Sequence, residues 1–245
     1  MRRFTVAPEA VASGRVVFDA AESRHLARVL RLRPGDTVVA SDGAGHEYTV
    51  RLEALGERAS GVVLDVSAGA AESPLAVTLG QAVPKGDGME RIVRATTELG
   101  IARVTPLVTA RTVVRLDPAR WRERSRRWQR IAREATKQCG RAVVPEIDPP
   151  QPLDAWLDGV RGADLALCLW EGGGEPLTRV LAGVARPRSV CLLVGPEGGL
   201  EPAEAEIASR HGFVATSLGR RILRTETAGP AVLAVLQGRW GDLGA

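Results

Sequence analysis

Apolar residues recur in two different rhythms along the chain, and the rhythm changes near residue 70. Before that point, short runs with alternating polar positions predict strands over Arg15–Phe18, Thr37–Ser41, Glu47–Leu52 and Gly61–Val66. Arg33-Pro34-Gly35-Asp36 is a turn into the second run, and Asp42-Gly43-Ala44-Gly45 is a hairpin signal between the second and third. One helix, roughly Glu22 to Leu32, interrupts them. Short strands at close intervals predict a small β-barrel.

Ser67 to Pro74 is small, polar and ends in proline, the composition of a linker. It divides the chain into a first domain over residues 1–71 and a second over 74–245. Beyond it, strands are expected at Leu75–Ala82, Val104–Val108, Leu165–Trp170, Val190–Val194 and Phe213–Ser217. Helices are expected from Asp87, with Glu90 three residues on as a capping pair, to a stop at Gly100. Others run over Pro118–Cys139, Pro202–His211 (closed by Gly212) and Thr225–Trp240, the last capped by Thr225 or Thr227. Leu165–Trp170 and Val190–Val194 are continuously apolar, as strands buried on both faces of a parallel sheet are. Strands alternating with helices define an α/β domain.

Charge sharpens this outline at one place. Of 33 basic residues only Lys85 and Lys137 are lysines, and the formal net charge is +4. Arg120 to Arg141 holds nine basic and two acidic residues, so this segment carries +7 and the rest −3. On a helical wheel Arg122, Arg126, Arg130, Arg133, Lys137 and Arg141 share one stripe. Trp121, Trp128, Ile131, Ala135 and Cys139 take the opposite side, which anchors the helix. An outward cationic stripe suits a polyanion; a solvated helix face in an arginine-rich chain is the plainer alternative. Arg24, Arg28 and Arg31 have the i, i+4, i+7 spacing of a second basic face.

No run approaches the ~18 apolar residues of a membrane span, and the first residues lack a signal-peptide core, so a cytoplasmic protein without membrane association is expected. Cys139, Cys168 and Cys191 are scattered, as are His25, His46 and His211, so neither a disulfide framework nor a metal site is expected.

Three strand ends carry the candidate chemistry. Leu169-Trp170-Glu171-Gly172-Gly173-Gly174 follows one strand and Gly195-Pro196-Glu197-Gly198-Gly199-Leu200 another. Ser217-Leu218-Gly219-Arg220-Arg221-Ile222-Leu223-Arg224-Thr225-Glu226-Thr227-Ala228 follows a third and opens a helix. Ligands of open parallel sheets sit at the carboxyl ends of strands, and glycines let the backbone approach them closely. The Gly195 turn is no P-loop, since the Lys-[Ser/Thr] pair is missing, and its central carboxylate disfavours phosphate.

The Gly195–Gly199 and Leu218–Ala228 stretches resemble the signature of the RsmE family, 16S ribosomal RNA uracil-N3 methyltransferases of the SPOUT superfamily. His25–Arg31, Thr97–Ile101 and Arg127-Trp128 through Gln138-Cys139-Gly140-Arg141 agree in order and spacing over nearly the whole chain. Cys139, where serine is commoner, and Trp170, where a smaller or polar residue is common, depart from the pattern. The resemblance implies a SPOUT α/β trefoil-knot domain preceded by a small PUA-like β-barrel that binds RNA. It implies S-adenosyl-L-methionine as cofactor, a homodimer, and 16S rRNA, within the small ribosomal subunit, as partner. The implied reaction is N3-methylation of a specific uridine, 1498 in the family's RNA numbering. Leu169, Gly195, Pro196, Gly199, Ser217, Leu218, Gly219 and Leu223 become the expected cofactor residues. Arg24, His25, Arg28, Arg31, Arg126, Arg130, Arg133 and Arg141 become the expected RNA contacts.

Uracil N3 must lose a proton before it attacks. Its nucleoside pKa is about 9, so deprotonation at neutral pH costs roughly 3 kcal/mol. A positioned base, or a cation that stabilises the anion, offsets that cost. Arg224 is the candidate cation, and Glu226 or Glu197 the candidate acceptor or orienting group. For each carboxylate, a helix cap or loop brace is the competing role. A non-catalytic RNA-binding assembly factor on the same fold is the alternative for the whole chain.

Overall fold

A computed structural model of the protein describes residues 2–69 and 72–244. The chain clusters into two compact units, Met1–Glu72 with Arg133–Val144, and Ser73–Ala132 with Pro145–Ala245. The expected linker is partly strand: the sixth strand runs to Ala68, Ala70 and Ala71 lie outside the described residues, and Ser73 Oγ binds both Leu75 N and Gln237.

The first unit holds β1 (Arg3–Thr5), β2 (Val11–Ala12), β3 (Arg15–Val17), α1 (Ala20–Arg24), β4 (Thr37–Ser41), β5 (His46–Ala54) and β6 (Ser60–Ala68). The sheet order is β1-β4-β5-β6-β3-β2, antiparallel except for the β1–β4 pair. Phe4, Val16, Phe18, Val38, Ala40, Val50 and Leu52 fill one core. Phe4 lies in β1 and Phe18 just beyond β3, far apart in the strand order, yet their rings meet edge to face at 5.9 Å. The sheet is therefore rolled around its core. Register shifts between β5 and β6 at Thr49/Val50 and Leu52/Ala54 supply the bulges that such curvature needs. In the predicted hairpin, Asp42 accepts bonds from Ala44 N, His46 N, His46 Nδ1 and Tyr48 Oη. Burial would raise the Asp42 carboxyl pKa, but these donors outweigh it and hold it below the ordinary carboxylate value.

Two expectations change in this unit. The first helix is α-helical only over Ala20–Arg24, with Asp19 capping Glu22 N, and continues as a π-helix over His25–Val29. Arg31 leaves it with φ +51°. The i, i+4, i+7 face of Arg24, Arg28 and Arg31 presumes an unbroken α-helix, so these arginines do not form one regular stripe. Secondly, Arg133–Val144, placed by sequence in the later domain, packs with the barrel. Val144 N binds Gly43 O, Gly45 N binds Ala142 O, and Arg141 binds Glu72. Lys137 turns inward: its Nζ holds both Glu22 oxygens at 2.7 and 2.8 Å and lies 5.0 Å from the Phe4 ring centroid. A buried carboxylate requires a cation, and that demand outranks the wheel. Cys139, expected on the anchoring side, is exposed.

The second unit holds β7 (Ala76–Ala82), α2 (Gly88–Glu98), β8 (Arg103–Val108), α3 (Pro118–Cys139, whose last turns belong to the first unit), β9 (Glu146–Ile147) and β10 (Gln151–Pro152). It continues with α4 (Leu153–Gly159), β11 (Leu165–Leu169), β12 (Glu175–Pro176), α5 (Leu177–Ala182), β13 (Ser189–Val194), α6 (Pro202–Arg210), β14 (Val214–Ser217) and α7 (Thr225–Trp240). All strand pairs are parallel, in the order β10-β8-β7-β13-β11-β14-β12, with β9 beside β8. Both faces of β13 are buried. Cys191 and Leu193 join Leu107, Trp156, Leu157, Ala208 and Phe213 in one cluster, while Val190, Leu192 and Val194 are buried on the other side, where α7 packs. The continuous apolar runs thus mark the central strands.

Two capping expectations are corrected. Asp87 stands at the N-cap of α2 but makes no capping bond; its carboxylate takes Arg91 Nη2 at 2.7 Å instead. Arg224, not a threonine, is the N-cap of α7, because the Thr225 hydroxyl is engaged beneath the sheet edge.

Candidate active site

The carboxyl ends of β13, β11 and β14 are adjacent and level: Leu169 pairs with Val194 on one side and Thr216 on the other. The three loops that leave them therefore start at one height and surround one cavity of about 890 Å³. Leu169, Gly195, Pro196, Gly199, Ser217, Leu218, Gly219 and Leu223 all line it, as do Glu197, Arg224 and Glu226. The structure thus brings together every expected cofactor and catalytic residue.

The loops are braced by named contacts. Gly199 N binds Pro196 O at 2.9 Å, closing the Gly-rich turn. Glu201 and Glu204 form a reciprocal capping box at the start of α6. Arg111 Nη1 donates to Gly198 O at 2.8 Å, and Lys85 N donates to Glu197 Oε1 at 2.8 Å. Glu197 is therefore a brace between the turn and the β7–α2 junction. A Cβ on Gly195 would stand 3.0 Å from Gly199 C and Leu200 N, so this glycine is required by the loop's own packing rather than by open approach from the cavity. Trp170 packs against the core cluster and its ring covers Gly172, which settles the first loop.

Lys85, Arg91, Arg220, Arg221 and Arg224 line the cavity against Glu171, Glu197 and Glu226, so cations prevail. Among the described residues Arg220, Arg221, Arg224 and Glu226 have no side-chain hydrogen bond or ion pair. Glu226 is half-buried in the first turn of α7. The reading from sequence missed Pro84, Lys85, Gly88 and Arg91 of the lining, although β7 ends at the same sheet edge beside β13.

The expected RNA contacts are dispersed. Arg126, Arg130 and Arg133 are exposed on α3, and Arg24, Arg28 and Arg31 are exposed on the barrel unit. Arg141 is committed to Glu72, and half-buried His25 lies 5.7 Å from the Phe4 ring and 3.5 Å from Lys137 Nζ. Cys168 and Cys191 do no chemistry here: burial pushes their thiols up to about 12 and about 11. Among the described residues no group of His, Cys, Asp and Glu could hold a metal, and no helix is long and apolar enough to cross a membrane.

A parallel sheet with three loops converging on one cavity at the carboxyl ends of its strands, in a chain that also carries a barrel unit, has counterparts among known RNA methyltransferases. The profile of the RNA methyltransferase domain matches residues 71–237, and that of the RNA methyltransferase PUA domain matches residues 18–63. The ribosomal RNA small subunit methyltransferase E of Synechocystis is 37% identical over 95% of this chain and 76% of its own. That of Bacillus subtilis is 31% identical over 84% and 83%. The enzyme of the same name from Neisseria gonorrhoeae, solved bound to S-adenosylmethionine, matches with TM-score 0.89 and 35% identity over 99% of both chains. A Legionella pneumophila chain, solved with the cofactor SAM, matches at TM-score 0.90 and 33% identity over 98% of both. The chain belongs to the ribosomal RNA small subunit methyltransferase E family. In outline its fold class is the expected one, a PUA-like unit followed by an α/β RNA methyltransferase domain with a parallel sheet.

Proposed function

We propose that this protein transfers a methyl group from S-adenosylmethionine to N3 of a uridine in 16S ribosomal RNA, as a homodimer in the cytoplasm. The observation that carries the reading is the convergence of three loops on one cavity at the edge of a parallel sheet. Its volume of about 890 Å³ lies in the range of roughly 300–1,000 Å³ usual for small-ligand sites. Its wall is rich in glycine and main chain, which suits a ligand carrying both donors and acceptors. Leu169, Gly195, Pro196, Gly199, Ser217, Leu218, Gly219 and Leu223 would hold the cofactor.

When bound, the cofactor supplies a methyl group already activated by a positive sulfur. The chain's own residues then have three tasks: to align the base, to exclude water, and to manage the N3 proton. N3 lies on the pairing edge, so the target base must be unpaired or extruded. Arg224, exposed and unpaired among the described residues, would stabilise negative charge developing on the base. Glu226, half-buried and unpaired, is the better proton acceptor of the two candidates, because Glu197 is occupied by Lys85 N. Arg126, Arg130 and Arg133, with Arg24, Arg28 and Arg31, would contact the RNA backbone; His25 and Arg141 would act by holding the barrel together.

The test is direct. Small ribosomal subunits lacking the modification are incubated with the protein and labelled S-adenosylmethionine, and the product is mapped. A single labelled uridine, methylated at N3, is expected. Label elsewhere would overturn the base assignment, and failure to bind the cofactor at all would favour the non-catalytic assembly factor.

A further inference from the structure

Gln81, the penultimate residue of β7, is fully buried and belongs to no part of the mechanism above. Its Nε2 donates to Ala82 O at 3.0 Å and to the Thr225 hydroxyl at 2.9 Å, and lies 3.5 Å from Gly195 O. The Thr225 hydroxyl in turn donates to Gly195 O at 2.6 Å. The proton order in this chain is fixed by chemistry. Turning the amide over would set its oxygen against two carbonyl oxygens, so nitrogen must face them. Thr225 then receives from Gln81 and has only Gly195 O to donate to. Gly195 opens the Gly-rich turn, and Thr225 closes the arginine loop as the first residue of α7. The two loops lie 30 residues apart in sequence and are joined at this bond.

The amide is kept at a cost. Gln81 Oε1 is buried without a partner among the described residues, 3.5 Å from where a Cβ on Gly229 would stand. An orphaned buried oxygen weighs against folding, and an apolar side chain of the same length would avoid it. Gln81 does not line the cavity, whereas Thr225 does; Gln81 acts from beneath, on the two loops that form the wall.

We propose that Gln81 and Thr225 are positioning residues that set the distance between the Gly195 turn and the Leu218–Arg224 loop, and so the width of the cofactor cradle. The inference rests on the cofactor reading given above. Thr225→Val keeps the shape and removes the hydroxyl; Thr225→Ser keeps the hydroxyl. Gln81→Met removes both the donor and the orphaned oxygen.

S-adenosylmethionine affinity by calorimetry, steady-state kinetics and thermal melting separate the outcomes. Thr225→Val should raise the Kd and the KM for S-adenosylmethionine by about tenfold, the size of one ordinary hydrogen bond. Thr225→Ser should restore both. Gln81→Met should weaken binding in the same direction while melting no lower than wild type. That pairing of weakened affinity with kept stability is one a purely structural residue would not give, and it stands even if Thr225→Val folds poorly. Wild-type affinity in Gln81→Met, or in a folded Thr225→Val, overturns the inference. A wild-type protein that binds no S-adenosylmethionine overturns the cofactor reading itself, and the inference with it.

Discussion

Gly195 shows how a single hydrogen in place of a methyl group can decide a binding site. Its missing side chain leaves room for the backbone of Gly199 and Leu200, each 3.0 Å from a Cβ built there. Valine at that position would push the turn away from its own second half. Gly195→Val is expected to cost about 1–3 kcal/mol of stability, the usual effect of overpacking. It should also raise the S-adenosylmethionine Kd well over tenfold, since Glu197, Gly198 and Gly199 move with the turn. Calorimetry on the folded variant checks this; unchanged affinity would remove the turn from the site. The cysteines differ chiefly by burial. Cys168 and Cys191 are held protonated by desolvation, with Glu171 and Glu204 adding to the effect at Cys168, whereas Cys139 is exposed. A maleimide at neutral pH should therefore label one thiol per native chain and three in denaturant, counted by mass spectrometry. Labelling of Cys168 in the native state would contradict the packing of β11.

At the scale of elements, what was legible depended on length and periodicity. The central strands stood out as continuous apolar runs, the helix over Pro118–Cys139 by an amphipathic pattern repeated over several turns, and that over Thr225–Trp240 by its length. Strands of two residues, β2, β9, β10 and β12, hold too few positions to show any period. In α4, Leu153, Trp156 and Leu157 do carry the i, i+3, i+4 signal, but over seven residues it is easily passed over. The π-turn after Arg24 was invisible for another reason: no local sequence preference marks the extra residue per turn in the segment that sets Leu26 in the barrel core. The cationic stripe of α3 was half legible. Arg122, Arg126, Arg130 and Arg133 are exposed as the wheel requires, while Lys137 and Arg141 are drawn to Glu22 and Glu72, whose positions no wheel contains. The division has a consequence for binding. Replacing Arg126, Arg130 and Arg133 with glutamine should weaken RNA binding and reduce the slope of log affinity against log salt by about 0.7–0.9 for each phosphate no longer neutralised. Cofactor affinity and melting temperature should stay near wild type. Lys137→Gln should do the reverse, leaving the slope alone and destabilising the barrel by about 3 kcal/mol, because buried Glu22 loses its lysine and keeps only His25 Nδ1, 3.8 Å away. Equal slopes in the triple variant and wild type would return the stripe to a solvated face.

For the whole molecule, the order of strands was beyond sequence rhythm. An apolar run shows that a strand is central but not which strands flank it, and nothing in residues 189–194 indicates that they lie between β7 and β11. Association is a second whole-molecule property, and α7 bears on it. Val232, Leu233, Leu236 and Trp240 are buried within the chain, but Val235 is 43% exposed. Ala231, one turn before it, and Gly238, just under one turn after it, are uncharged, while Arg239, one full turn after it, is exposed and donates to Leu181 O. The burial of α7 inside its own unit therefore accounts for one side of the helix and leaves Val235 exposed on the other, with Arg239 as its charged neighbour one turn on. A second copy of the chain is the partner that the family resemblance supplies for it. Because Val235 is exposed in the single chain, Val235→Glu should fold with a stability change within about 0.5 kcal/mol when measured on the monomer. In a dimer that covers this face the same carboxylate would be buried with Arg239 of its own helix as the nearest cation, and burying that pair in place of an apolar contact weakens association. Sedimentation should then show the wild type as a dimer at micromolar concentration and the variant as a folded monomer, and methyl transfer should fall together with the dimer fraction. A wild type that sediments as an active monomer at that concentration would leave Val235 an ordinary exposed valine. It would also mean that the Gly195 and Arg224 loops complete the site within one chain.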